Sequence, residues 1–147
     1  MSKEDSRHEL FEQIQQDHAE LRKLLGEIHH VLSRKEASVA SVAELLESLT
    51  NHIETHFEEE ESTGVFDQVS AREPRLTDRA TALYAEHDQL RQTVHALNQA
   101  AKSDGGSDWW GKLEASFHDF SKDLMRHEHQ ENELVQEAYE QDIGAAD

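Results

Sequence analysis

The chain is expected to be all-α, an antiparallel up-and-down four-helix bundle. Three observations point there. Apolar residues recur at alternating steps of 3 and 4 along four long segments. Proline occurs once and glycine six times, so little interrupts a helix. The connections between segments are mostly short, which makes consecutive helices antiparallel neighbours. The 147 residues fit one domain, 1–147, around one core.

The first helix is expected over about 7–32, where Ser6 and Glu9 form a capping-box pattern at its start. Its seam is Ile14, His18, Leu21, Leu25, Ile28 and Leu32. The second is expected over 42–61, opened by Ser41 with Glu44 and stopped by Gly64. Its seam is Val42, Leu45, Leu49, Ile53 or His52, His56 and Glu60. A connection containing Gly64, Phe66 and Pro74 leads to a third helix over 78–102, with Ala80, Leu83, His87, Leu90, Val94, Leu97 and Ala101 in its seam. The run Ser103-Asp104-Gly105-Gly106-Ser107-Asp108 reads as a loop. The fourth helix is expected over 109–139, its seam being Leu113, Phe117, Phe120, Leu124, His127, Glu131, Leu134 and Ala138. Trp109 and Trp110 open it and are expected to cap one end of the bundle.

Composition removes several function classes. A formal charge of −18 repels phosphate backbones and anionic membrane surfaces, so neither nucleic acid nor membrane is an expected partner. Cysteine is absent, which excludes disulfides, thiolate metal sites and cysteine-held iron–sulfur clusters. The charged N-terminus has no apolar stretch of the signal-peptide kind, and no segment approaches a membrane span. These features are read as those of a cytoplasmic protein. Eleven histidines are many for this length, and histidine is the commonest metal ligand.

Each seam is apolar except at a few positions, and those positions are His or Glu. They are His18, His56, Glu60, His87, His127 and Glu131. A carboxylate buried between helices without a partner is costly. Two of them in register with four histidines call for a shared positive charge, and a metal supplies it. His56 and Glu60 are four apart, as are His127 and Glu131, so both members of each pair project from one helix face. Imidazole nitrogen with carboxylate oxygen suits iron, manganese or zinc better than calcium or magnesium.

The pattern is also duplicated. Asp17-His18-Ala19-Glu20-Leu21-Arg22 is similar to Glu86-His87-Asp88-Gln89-Leu90-Arg91. His18 and His87 are 69 residues apart, while His56 to His127 and Glu60 to Glu131 are each 71. Each half supplies one lone His and one His-x3-Glu pair. Two such halves facing each other place four His and two Glu around two metals.

An early His, a His-x3-Glu, a second His and a second His-x3-Glu, in that order, resemble the hemerythrin-like (HHE cation-binding) family. The resemblance covers about Ser6 to Tyr139. It implies a hemerythrin-like bundle with a non-haem, oxo- or hydroxo-bridged pair of Fe ions. His18, His56, His87 and His127 would then be terminal nitrogen ligands, with Glu60 and Glu131 bridging. The chain departs from the oxygen-carrying members, which have a His-x3-His on the third helix and an aspartate five residues after the fourth-helix His. Here Arg91 follows His87 by four, Leu83 precedes it by four, and Glu131 follows His127 by four. The resemblance is therefore to the four-His, two-Glu branch. One fewer protein ligand favours chemistry with O2, peroxide or nitric oxide, or iron sensing and handling, over simple oxygen carriage.

Other residues are weighed and set aside. His52 faces nearly the same way as His56, but its counterpart in the second half is Asp123. Tyr84, one turn before His87, is read first as a bundle-edge aromatic and second as a hydrogen-bond or electron donor to the site. His8, His29, His30, His95, His118 and His129 lie off the seams. The expected function is that of an iron-binding protein that binds or senses O2, NO or peroxide. A redox enzyme of peroxide- or nitric-oxide-linked chemistry and an iron storage or donor module are the alternatives. A separate protein partner is left open.

Overall fold

The computed structural model describes residues 3–35, 38–103 and 108–145, with side chains described over 9–35, 38–103 and 108–139. Its elements in order are α1 (Lys3–Arg34), α2 (Val39–Thr63), α3 (Val65–Arg72), a 3-10 turn (Pro74–Leu76), α4 (Thr77–Lys102) and α5 (Trp109–Ala145). Among the described residues there is no strand. The four long helices form a closed ring of neighbours, α1 against α2, α2 against α4, α4 against α5 and α5 against α1.

The seams behave as their periods require. Ile14, His18, Leu21, Leu25, Ile28 and Leu32 are all buried on α1. The expected seams of α4 and α5 are likewise buried along their whole length. On α2 the expected Leu45 is only partly buried, and Leu46 takes the core position. Both lie within one turn of Leu49, and packing against the neighbouring helices selects Leu46. Ile53, not His52, occupies the seam.

The helix ends differ from the expectation. α1 begins at Lys3, so Ser6 lies inside the helix and not at its start. α2 begins at Val39, and its cap is Ser38, whose side chain accepts a hydrogen bond from the Ser41 N–H at 3.1 Å. Ser41 is thus the donor in the cap, and Glu44 has no cap to close. Gly64 stops α2 as expected, in the left-handed region at φ 67° that favours glycine. It also starts α3, because its carbonyl accepts the Gln68 N–H at 2.9 Å. The connection between α2 and α4 is therefore mostly helical. Val65, Phe66 and Val69 are its buried face. Arg72 fastens it to α5 by donating Nε–H to the Ala138 carbonyl at 2.8 Å. The loop expected over 103–108 lies outside the described residues for 104–107.

Two apolar clusters fill the interior. The larger runs through Leu21, Leu32, Leu46, Phe57, Val94, Phe117 and Leu124. Trp109 closes it, donating Nε1–H to the Ala100 carbonyl at 3.2 Å and meeting Trp110 edge to face. The smaller cluster holds Ile14, Val65, Phe66, Leu83 and Leu134. Along α1, α4 and α5 the seam His and Glu residues fall between the two clusters; on α2, Phe57 of the larger cluster lies between His56 and Glu60, and Val65 of α3 begins the smaller cluster beyond them. The polar layer is therefore sealed by apolar packing above and below. No described helix is long and apolar enough to cross a membrane.

Candidate metal centre

All six seam residues meet in this layer. His18 comes from α1, His56 and Glu60 from α2, His87 from α4, and His127 and Glu131 from α5. Each is 3% exposed or less, which puts their charge in a dry environment. Glu60 Oε1 lies 3.2 Å from His56 Nε2 on its own helix and 3.5 Å from His87 Nε2 of the other half. Glu131 repeats the arrangement, 3.3 Å from His127 Nε2 and 3.2 Å from His18 Nε2. Each carboxylate thus joins a histidine of one half to a histidine of the other.

These atoms approach one another without satisfying one another. His18 Nε2, His87 Nε2, His127 Nε2 and both oxygens of Glu60 and of Glu131 have no hydrogen-bond partner. Buried polar atoms are seldom left so. Ligand atoms of His18, His56, Glu60 and Glu131 lie within 4.8 Å of one another, and so do those of His87, His127 and Glu131. Donors about 2.1 Å from one transition-metal ion stand at such separations. The donor set fits a cation, since one positive charge at each meeting point satisfies nitrogen lone pairs and carboxylates together. Glu131 belongs to both groups.

The outward nitrogens are all held. His56 Nδ1 faces Asp17 Oδ2 at 3.4 Å, and His127 Nδ1 faces Glu86 Oε1 at 3.1 Å. His87 Nδ1 faces Glu61 Oε2 at 3.1 Å, and His18 Nδ1 faces Asn132 Oδ1 at 3.0 Å. An Nδ1–H donated outward leaves the Nε2 lone pair aimed inward, which is the tautomer a metal requires. Asp17 and Glu86 precede the lone histidines; Glu61 and Asn132 follow the seam glutamates. The duplication therefore extends to the residues that orient the four histidines. None of the four is marked as an orienting group by the helical period alone. Their signal was adjacency to the repeated motif, visible already in the paired Asp17-His18 and Glu86-His87.

Arg91, which stands where the oxygen carriers have a second histidine, is turned away from the centre. It donates to both oxygens of Glu61, at 2.8 and 2.9 Å, and to Glu54 at 3.3 Å. It thus braces the group that orients His87.

Burial and neighbours set the protonation. Burial, then the charge of His18, holds His56 down at about 4, against a partial lift from Asp17. Burial also holds His87 at about 4, although Glu61 pulls the other way. His127 is lowered by burial in spite of Glu86. Burial works to lower His18 as well, but Glu131 beside it prevails and the net shift is upward. Burial raises Glu131, offset in part by His18. Burial pushes Glu128 up to about 7, with only His18 and Arg22 opposing. Neutral imidazoles at His56, His87 and His127 are ready ligands at neutral pH.

The residues set aside stay outside the cluster. His52 is 38% exposed and pairs with Glu20 at 3.6 Å. Tyr84 is 50% exposed, its ring 5.8 Å from that of His87. His95 pairs with Glu54, and His129 with Glu133. His29, His30 and His118 are exposed, and the side chain of His8 is outside the described residues. Two buried neighbours were missed. Phe57 and Glu128 each directly follow a seam histidine, one step off the 3-4 pattern, yet both are buried. A groove of about 510 Å³ lined by Asp17, Glu20, His52, Thr55, His56 and Glu59 opens toward His56 between α1 and α2.

A helical bundle with a sealed His/Glu layer able to hold a cation defines a class of metal-binding protein. The model of the hemerythrin HHE cation-binding domain matches residues 9–139, and the chain belongs to that family. No curated protein and no solved structure matches it.

Proposed function

We propose that this is a non-haem di-iron protein that binds or senses O2 or a related small molecule, NO or peroxide. His18, His56, Glu60, His87, His127 and Glu131 are its proposed metal ligands. The observation that carries the reading is the convergence of partnerless nitrogens and carboxylate oxygens into two groups that share Glu131. The mixed nitrogen and oxygen donors favour iron, manganese or zinc, and family membership favours iron. Bound iron supplies a redox-active Lewis acid with fewer protein ligands than it can accept. The chain's own residues orient the imidazoles through Asp17, Asn132, Glu61 and Glu86. They exclude bulk water with Leu21, Ile53, Leu90, Leu124 and Leu134, all buried.

The same reading takes the four long helices as an up-and-down antiparallel bundle in the cytoplasm, with small molecules as partners. The charge of −18 argues against nucleic acid and anionic membranes.

Iron per chain tests it, measured on protein reconstituted anaerobically with ferrous ion and then desalted. About two irons per chain are expected, the count of a paired-carboxylate bundle site. O2, NO and peroxide are then each expected to change the visible spectrum. Failure to retain iron overturns the reading. Sustained turnover of peroxide or NO would move it to a redox enzyme, and loading well beyond two irons to storage.

A further inference from the structure

The two halves supply matching ligands but differ at one buried position beside the centre. Phe57 and Glu128 lie 71 residues apart, the same interval that separates His56 from His127. Phe57 stacks on His87, ring centroids 4.0 Å apart and planes 5° from parallel. The Arg91 guanidinium sits 5.4 Å from the Phe57 ring centroid. In the other half His18 stands for His87 and Arg22 for Arg91, each 69 residues earlier. Glu128 follows His127 as Phe57 follows His56, and both are buried, so Glu128 holds the position equivalent to that of Phe57.

That place does not demand a polar residue, since phenylalanine fills it in the first half. Glu128 is nonetheless 3% exposed, and its Oε1 has no hydrogen-bond partner. A buried carboxylate oxygen without a donor is the condition already seen in Glu60 and Glu131, and those are the residues that face the cation positions. Resting on the metal-centre reading above, we propose that Glu128 is a third carboxylate ligand of the centre. It serves the ion gathered by His18, His56, Glu60 and Glu131. The ion gathered by His87 and His127 has Phe57 as its wall in place of a ligand. The two metal positions are thereby inequivalent. The Glu128 oxygens stand outside the two groups in the structure, so ligation requires a change of side-chain rotamer on loading.

The test compares wild type with Glu128→Gln, which keeps shape, and Glu128→Phe, which makes the two halves alike at this position. Ferrous ion is titrated anaerobically into each metal-free protein, and the loaded proteins are examined by Mössbauer spectroscopy. Wild type is expected to bind two ions with two resolved iron environments. Both variants are expected to lose about 10- to 100-fold in affinity for one ion only, the scale on which a group at a metal site contributes. Their two environments are expected to move closer together. Circular dichroism of the metal-free variants serves as the folding control, and Glu128→Gln alone decides if Glu128→Phe does not fold. Unchanged affinity and spectrum in a folded Glu128→Gln overturns the proposal and leaves the di-iron reading standing. A wild type that binds no iron overturns both.

Discussion

His18 and His87 occupy the same place in the two halves of the bundle, and their surroundings treat them in opposite ways. His18 has the neutral amide of Asn132 on Nδ1, Glu131 3.2 Å from Nε2, and the charge of Glu128 nearby. Its proton is held more tightly than usual. His87 has the ion pair of Glu61 with Arg91 on Nδ1 and the Phe57 ring stacked on its face. Burial prevails there, and its proton affinity falls to about 4. Duplication has thus preserved the donor atoms and allowed their surroundings to diverge. Ligand identity can be repeated by spacing alone, whereas the charge around a ligand depends on every helix packed against it.

The largest expected effect breaks both halves at once. Glu131 belongs to both candidate groups and Glu60 to one. Glu131→Ala is therefore expected to empty both metal positions, and Glu60→Ala to leave more iron behind. Iron per chain after desalting distinguishes them. Wild-type loading by Glu131→Ala would remove the carboxylate from the ligand set.

Phe57 is fully buried and in contact with His87, so Phe57→Ala is expected to destabilise the metal-free protein by about 3–5 kcal/mol. Glu128→Gln, at the equivalent position, is expected to leave its stability unchanged or raised, since it removes a buried charge. Chemical denaturation at neutral pH measures both. An equal loss in Glu128→Gln would show that the Glu128 carboxylate stabilises the fold, against the cost assigned to its burial.

A smaller contrast concerns the residues that orient the ligands. Arg91→Gln removes the brace on Glu61 and is expected to weaken metal binding by about 10- to 100-fold. Asn132→Ala, which removes only a neutral acceptor from His18, is expected to cost less. Ferrous titrations of the two variants rank them, and the reverse order would refute the difference drawn between the halves.

A contrast of another kind is a dependence on pH, read in metal-free protein. His87 has a folded value of about 4 against the ordinary 6.5. Between those values the unfolded chain takes up a proton that the folded one refuses, so His87 withdraws stability as pH falls from 6.5 toward 4. The slope is at most about 1.4 kcal/mol per pH unit. His18 has a raised folded value. Its contribution is fully present below 6.5 and is lost as pH rises through the folded value. The stability gap between wild type and His87→Gln is thus expected to fall on acidification, and that for His18→Gln to fall above pH 6.5. Denaturant midpoints across this range give both slopes, and slopes of the same sign would break the comparison.

Much of this was legible in the residues. The seams of α1, α4 and α5 follow a strict 3-4 period, and their buried faces are the expected ones. His18, His87 and the two His-x3-Glu pairs stood out because polar groups interrupt apolar stripes. The helix starts were less legible. Ser41 and Glu44 match a capping box, yet Ser38 caps α2, because a capping pattern shows where a helix can begin and not where it does. The segment after Gly64 holds few apolar residues, and what makes it helical is the packing of Val65, Phe66 and Val69 against α4 and α5.

By itself the sequence determined the helical class, the duplicated order of donors and the helix faces they occupy. All of these follow from local period and spacing along one chain. Only the tertiary structure decided that Glu131 meets histidines of both halves, that Asp17 and Glu86 orient histidines on other helices, and that Glu128 is buried without a partner where Phe57 stacks on a ring. Those facts depend on how four helices are rotated and set against one another. Two residues one step apart on a helix, such as His127 and Glu128, differ by 100° in direction, and only the neighbouring helices determine whether both are enclosed.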